Sequence, residues 1–311
     1  MKLGRGGGGL VAFDEGRGSW VALDQKRFGD ELLELLADAE ALEAAAGSLG
    51  DSPEAAPPAG LPFRPRSLRA FSIWESHMVN SARVLARRFF PAPAGKITSA
   101  YERVSRRTFP KFKPPPMFYE HPLFYMGNHT SFHADGEDVA WPHPTEFLDF
   151  ELELGFVLKE PVRNATPEEG RAAIGGFVLV NDWSARDVQV DELRRGVFGP
   201  VVKSKSFANS MGAVLVSADE LLPRWDRLRG RVSVNGEAWC EGTTAGAQHD
   251  PGAMVAYASE GEALGRGDLL SSGTLPGCCG LELDRWLKPG DLVEMDLEGV
   301  GTLANRVVRR A

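Results

Sequence analysis

An α+β fold, mostly β, is what the sequence predicts, and two observations carry it. Two long helix candidates both lie before about residue 90. From Pro116 onward the chain reads as short apolar runs between Gly, Pro and Asp turns, such as FVLVNDW, VSVNGEAW, DLLSSGT and DLVEMDL. No internal repeat is visible. The 311 residues are 43% hydrophobic and 25% charged, ordinary globular material with room for one large core, or a core plus a small extra domain.

In chain order, GLVAFDEGRGSWVALD predicts two strands around a Glu-Gly-Arg-Gly turn. GDELLELLADAEALEAAAGSLG predicts one helix, with Asp30 near its start and Gly47 at its end. DSPEAAPPAGLPFRP is rich in Pro and Ala and reads as a linker. Together these form a small N-terminal α/β region, residues 1–65, ahead of a main domain, residues 66–311. A second helix is expected from about Leu68 through HMVNSARVLARRFF, carrying His77. GRGGGGL lacks a following Gly-Lys-Ser/Thr, so it is read as a flexible entry to the hairpin and not a phosphate loop.

Several function classes are disfavoured. Net charge is −8, the pI is about 5.4 and no Lys/Arg-rich block stands out, so a nucleic-acid partner is not expected. No apolar run approaches the roughly 18 residues of a membrane span. The N-terminus lacks a signal-peptide core, and the three cysteines, Cys240, Cys278 and Cys279, lack metal-ligand spacing. Those features point to a reducing cytoplasm and no disulfide framework.

The chemistry concentrates in LDFELELGFVL, Leu148 to Leu158. Alternate strand residues share a face, so Glu151 and Glu153 point the same way, about 6–7 Å apart at the backbone. Such a pair can converge on a hard divalent cation at about 2.0–2.6 Å. The bland alternative is a half-exposed strand whose polar face meets water. GGFVLVNDWSARDVQ adds a buried-type strand ending in Asn181-Asp182, with Arg186 and Gln189 following at helical spacing. Asp182 could be a third ligand or the cap of the turn that begins there.

Glu-x-Glu, then NDWSARDVQ, then GPVVKSKSF, then SSGT, in that order over roughly residues 70–311, resembles the fumarylacetoacetate hydrolase family. The resemblance implies an FAH-type mixed β-roll, compact and mostly antiparallel, behind the small N-terminal region. It implies metal-assisted hydrolysis of a carbon–carbon bond in a β-diketone acid of the fumarylacetoacetate or acylpyruvate type. Relatives that decarboxylate, tautomerise, isomerise or hydrate 2-oxo acids supply the second reading. A non-catalytic metal-binding β protein supplies the third.

The resemblance also assigns residues. It places a divalent cation, magnesium first with manganese or calcium as alternatives, on Glu151, Glu153 and Asp182. Lys205 would stand beside the substrate, with Lys203 the lesser candidate. Arg186, Gln189 and Tyr125 would contact the substrate, and Thr274 would hold its carboxylate. His77 would be the base, oriented by Glu282; another branch draws the partner from the histidine's own helix, but there this chain has Asn80, which cannot carry the charge, so Glu282 is preferred. His129 and His133 are rivals for the base because they lie near Tyr125. Asp149 falls outside the ligand set and is expected either behind the ligands or facing solvent. The implied partners are a small 2-oxo or β-diketo acid and a second copy of the chain in a homodimer. Two departures leave the acyl group open: Met126 stands where relatives often have lysine, and Ala208-Asn209 stands where the hydrolase keeps Gly-Thr.

Overall fold

The computed structural model describes residues 1–142 and 145–309. Its frame is an eleven-stranded sheet. At the centre lie three neighbours: Ile174–Asn181, Glu151–Leu158 and Asp268–Cys279, the middle one antiparallel to both others. Beyond Asp268–Cys279 come Ser67–Phe71 and then Phe124–Gly127. A second sheet of five strands includes Arg229–Val234, Leu292–Leu297 and Gly301–Val308. Most pairings are antiparallel, and the whole is the mixed α+β, β-dominated arrangement that the sequence predicts.

Both faces of the central strands are covered, which explains their composition. Every residue of Glu151–Leu158 and of Ile174–Asn181 is buried. Phe156 and Phe177 meet at 5.9 Å between ring centroids. Truncating either to alanine would cost about 3–5 kcal/mol, the usual penalty for a core phenylalanine.

Three local expectations change. LDFELELGFVL is not one strand: Leu148–Asp149 pairs with Ser184–Ala185, and the large-sheet strand begins at Glu151. The expected N-terminal helix is two, Leu32–Ala37 and Ala39–Ser48. Asp38 divides them because it leaves the helical conformation and its side chain caps Ala41 N at 2.9 Å. The helix expected from Leu68 begins only at Glu75. Ser67–Phe71 is a strand because its neighbours Asp268–Cys279 and Phe124–Gly127 complete its hydrogen bonding on both sides.

The N-terminal strands join the large sheet directly. Lys2–Gly6 pairs with Leu215–Ser217, placing Leu3 opposite Leu215. Leu32, Leu35 and Leu36 pack in one buried cluster with Val157, Val178 and Leu215.

Candidate active site

The strand Glu151–Leu158, called here the glutamate strand, brings Glu151 and Glu153 to one end of the sheet. The neighbouring strand Ile174–Asn181 delivers Asp182 just past its last residue, and Asp182 N donates to Glu151 O at 3.1 Å. Asn181 Oδ1 accepts from Glu151 N at 2.9 Å, so this junction is tied at backbone level. Carboxylate oxygens of Glu151, Glu153 and Asp182 lie within 4.8 Å of one another. All three residues are buried, so the alternative of a polar face meeting water fails.

Two buried cations face these acids. Arg186 begins the helix Arg186–Arg195, the arginine helix. Its Nη2 donates to Glu151 Oε1 at 2.5 Å and its Nε to Asp149 Oδ2 at 2.7 Å. Lys205 Nζ donates to Glu151 Oε2 and, at 2.8 Å, to Asp182 Oδ2. Lys203, the lesser candidate, is exposed. Tyr125 OH donates to Asp182 Oδ2 at 2.5 Å, and Ser271 Oγ donates to Glu153 Oε2. Gln189 Oε1 accepts from Arg186 Nη1 at 2.9 Å.

Thr274 is aimed by a bulge. The register between Asp268–Cys279 and the glutamate strand slips between Ser271 and Thr274, and Thr274 then stands opposite Glu153. Gly273 makes the bulge possible. Its φ is +83°, and a Cβ there would lie 2.3 Å from Phe71 O.

Charge does not balance within this cluster. Asp149, Glu151, Glu153 and Asp182 are four buried carboxylates, against the two buried cations Arg186 and Lys205. The formal deficit is two positive charges, that of one divalent ion. Titration behaviour follows. Burial would raise the Glu151 carboxyl, but Arg186 and Lys205 outweigh it and hold Glu151 well below the usual carboxylate range. Burial, reinforced by the charges of Asp182 and Glu151, pushes Glu153 well above that range. Burial also raises Asp182 despite Lys205 beside it. Asp182 Oδ1 is buried with no hydrogen-bond partner among the described residues. An unpartnered buried oxygen, an all-oxygen donor set and this uncompensated charge fit a hard divalent cation on Glu151, Glu153 and Asp182.

Asp149 settles behind the ligands. It is fully buried and accepts from Arg186 Nε and from the backbone N–H groups of Gly280 and Leu281 at 2.6 and 3.0 Å. It thereby fixes the guanidinium that holds Glu151. Its sequence signal was an acid just before Glu-x-Glu with no local partner.

His77 lies in the helix Glu75–Arg88, the dyad helix. Its Nδ1 is 2.6 Å from Glu282 Oε1. Glu282 is itself held in place: Asn80 Nδ2 donates to Glu282 Oε2 at 3.0 Å, and Gly277 N donates to Oε1 at 3.0 Å. Glu282 carries the charge; Asn80, three residues after His77 on the same helical face, fixes its position. Arg83 in turn donates to Asn80 Oδ1 at 2.9 Å.

These groups share one cleft of about 530 Å³, lined by His77, Tyr125, Arg186, Gln189, Lys205 and Thr274 together with the three acids. His129, His133 and Met126 are not among its lining residues. Asn209 points elsewhere, donating to Asn128 O at 3.2 Å. No helix among the described residues is long and apolar enough to cross a membrane.

Comparisons with known proteins bear on the family and the fold. Residues 96–308 match the family model described as fumarylacetoacetate (FAA) hydrolase C-terminal. Over 294 residues, 93% of its length, the chain is 28% identical to a 4-hydroxyphenylacetate degradation bifunctional isomerase/decarboxylase of Escherichia coli, and it spans 65% of that protein. It is 30% identical over 188 residues to a 2,4-didehydro-3-deoxy-L-rhamnonate hydrolase of Sphingomonas sp. (strain SKA58), covering 60% of this chain and 65% of the other. The solved fumarylacetoacetate hydrolase of psychrophilic Exiguobacterium antarcticum shares the fold, with a TM-score of 0.71 at 21% identity over the whole of both chains.

Proposed function

We propose, from the premise that the chain belongs to the fumarylacetoacetate hydrolase family, that it is a divalent-metal enzyme hydrolysing a carbon–carbon bond in a β-diketone acid of the acylpyruvate type. The observation that supports hydrolysis is the His77–Glu282 contact of 2.6 Å at the wall of a cleft floored by three carboxylates. With Nδ1 donating to Glu282, the His77 ring keeps a lone pair on Nε2, the tautomer a base requires.

A divalent cation, magnesium first, held by Glu151, Glu153 and Asp182 would supply a Lewis acid and a template for the oxo-acid end of the substrate. The remaining work falls to side chains. His77 Nε2 takes a proton from water, which attacks the distal carbonyl, and Glu282 steadies the imidazolium that results. As the bond breaks, Lys205 and Arg186 lie where negative charge grows, fixed in advance by Glu151, Asp182 and Asp149. Thr274 and Gln189 hold the substrate carboxylate end, and Tyr125 orients Asp182. Protonated His77 then returns its proton to the departing carbon.

A second reading, isomerisation or decarboxylation of a 2-oxo acid, is favoured by the likeness to the Escherichia coli isomerase/decarboxylase over 93% of the chain. Purified protein with magnesium, screened against acylpyruvates, fumarylacetoacetate and oxaloacetate, separates the two. Hydrolysis removes the diketo absorbance and yields two acids. Conversion of oxaloacetate without cleavage of any acylpyruvate would replace the first reading by the second. The proposal includes a homodimer; a monomer mass by light scattering at micromolar concentration would refute that part.

A further inference from the structure

The cleft has two ends of opposite chemistry. The arginine helix turns Arg186, Gln189, Val190 and Leu193 toward it, the i, i+3, i+4, i+7 stripe of one helical face. Charge comes first and Leu193 last. The dyad helix repeats the order: His77 and Met78, then Ser81 and Ala82, then Leu85. Each helix starts at the carboxylate floor, since Arg186 binds Glu151 and His77 lines the same cleft as Glu151, Glu153 and Asp182. Their far ends also meet, with Arg194 5.7 Å from the Phe90 ring. Polarity therefore falls in step along both walls, over about 10–12 Å at the helical rise of 1.5 Å per residue.

The far end is apolar and partly open. Leu193 is 50% exposed, a large apolar side chain facing water at the cleft. Phe112 and Pro114, both buried, add apolar surface to the cleft lining. Neither helical face presents a cation to the cleft beyond Arg186. Lys111 and Lys113, on the segment that carries Phe112, also line the cleft and are exposed. A carboxylate laid between Leu85, Leu193 and Phe112 would meet no hydrogen-bond donor from those three side chains, and the exposed ammonium groups of Lys111 and Lys113 on the same cleft offer it only a solvent-screened attraction.

We infer that the far half of the cleft is a pocket for an apolar acyl arm, and that Leu85 and Leu193 select it. The substrate is then a 2-oxo acid whose acyl group is a hydrocarbon chain or ring without a second carboxylate. This rests on the reading of the carboxylate floor as the seat of the oxo-acid end.

A matched pair of inert ligands tests the pocket without turnover. Calorimetric titration of the magnesium-loaded protein compares 2-oxooctanoate with 2-oxosuberate, acids of equal length that differ in the terminal carboxylate. The expected result is at least tenfold tighter binding of 2-oxooctanoate, within reach of a pocket that gains up to tenfold or more per buried methylene. Leu193→Arg should erase or reverse that preference, and its half-exposed position makes the fold tolerant of the change, which a melting curve checks. Equal or tighter binding of 2-oxosuberate by the unaltered protein, or binding of neither acid, overturns the inference. In turnover, hexanoylpyruvate should exceed succinylpyruvate in kcat/KM by a similar factor, and the reverse order counts against the pocket. Turnover of no acylpyruvate refutes the hydrolytic reading instead, and the ligand pair still decides the pocket.

Discussion

The floor of the cleft and its wall hold their charged groups by different means. The floor is built on adjacent buried strands. Each carboxylate there is pinned by a cation, a hydroxyl or a backbone group, yet the sum of charge stays two short of neutral. The wall is a helix. His77 keeps 12% of its side chain exposed, and its partner Glu282 is satisfied by His77, Asn80 and Gly277 without any outside ion. A site that is rigid and under-compensated is suited to capture a cation. A site that is self-contained and partly open is suited to exchange a proton with water. Binding and proton transfer are thus separable, and substitution can show it.

The largest effect is expected at the floor. Glu151→Gln removes the acid that Arg186 and Lys205 both hold. Calorimetric metal titration should show affinity reduced on the order of 100-fold or more, with turnover lost alongside it. Next comes the wall: His77→Ala should lower kcat by about 10²-fold or more, while the metal dissociation constant stays within a few-fold. If metal affinity falls in parallel, the separation between floor and wall is wrong.

A third expectation sharpens the wall itself. Glu282→Gln should lower kcat by roughly tenfold or more, and the double variant with His77→Ala should be no slower than His77→Ala alone, because the two act as one unit. Single-turnover rates measured at saturating magnesium decide it; additive losses would mean Glu282 works apart from His77.

The smallest effect concerns the segment that carries Lys205. Glu192 accepts from Ser204 Oγ at 2.6 Å, from Val202 N and Ser204 N at 3.1 and 3.2 Å, and from Lys203 N. Burial would raise its carboxyl, but the Ser204 bond and these N–H groups outweigh it and hold it below the usual range. A lowered folded value stabilises above the ordinary glutamate value of about 4.3, and that contribution is lost as pH falls through the folded value. Glu192→Gln should therefore melt lower at pH 7 by less than about 1 kcal/mol, given solvent screening. The gap should close below pH ~4. A gap that is constant with pH would assign the effect to shape and not to charge.

Much of the floor was legible because its signals are short-range. Glu151 and Glu153 share a face by strand geometry alone, and Asp182 follows a run of apolar residues that could only be a buried strand. Asp149 was left between two placements because its partners, Arg186, Gly280 and Leu281, are 37, 131 and 132 residues away. The strand at Ser67–Phe71 is hidden in the sequence for the same reason: LRAF has no strand signature of its own, and its pairing partner begins at Asp268. The split at Asp38 was a local signal overlooked, an aspartate able to cap a new helix in the middle of a long periodic stretch. Pairing of His77 with Glu282 was expected from family likeness; nothing in the spacing of the two residues announces it.

That last contact has a consequence in time. His77 and Glu282 are separated by 205 residues. At a synthesis rate of about 5–20 residues per second, His77 leaves the ribosome some 10–40 s before its partner exists. Asp268–Cys279, which closes the open edge of the glutamate strand, is also made after all of the floor's acids and cations. All three metal-binding acids and both cations of the floor are made by Lys205, yet until Asp268–Cys279 docks and Glu282 follows, the cluster has one side uncovered and no oriented base. A growing chain would therefore be a chelator in waiting, and the oriented His77–Glu282 pair would come into being only once the segment through Glu282 has been made.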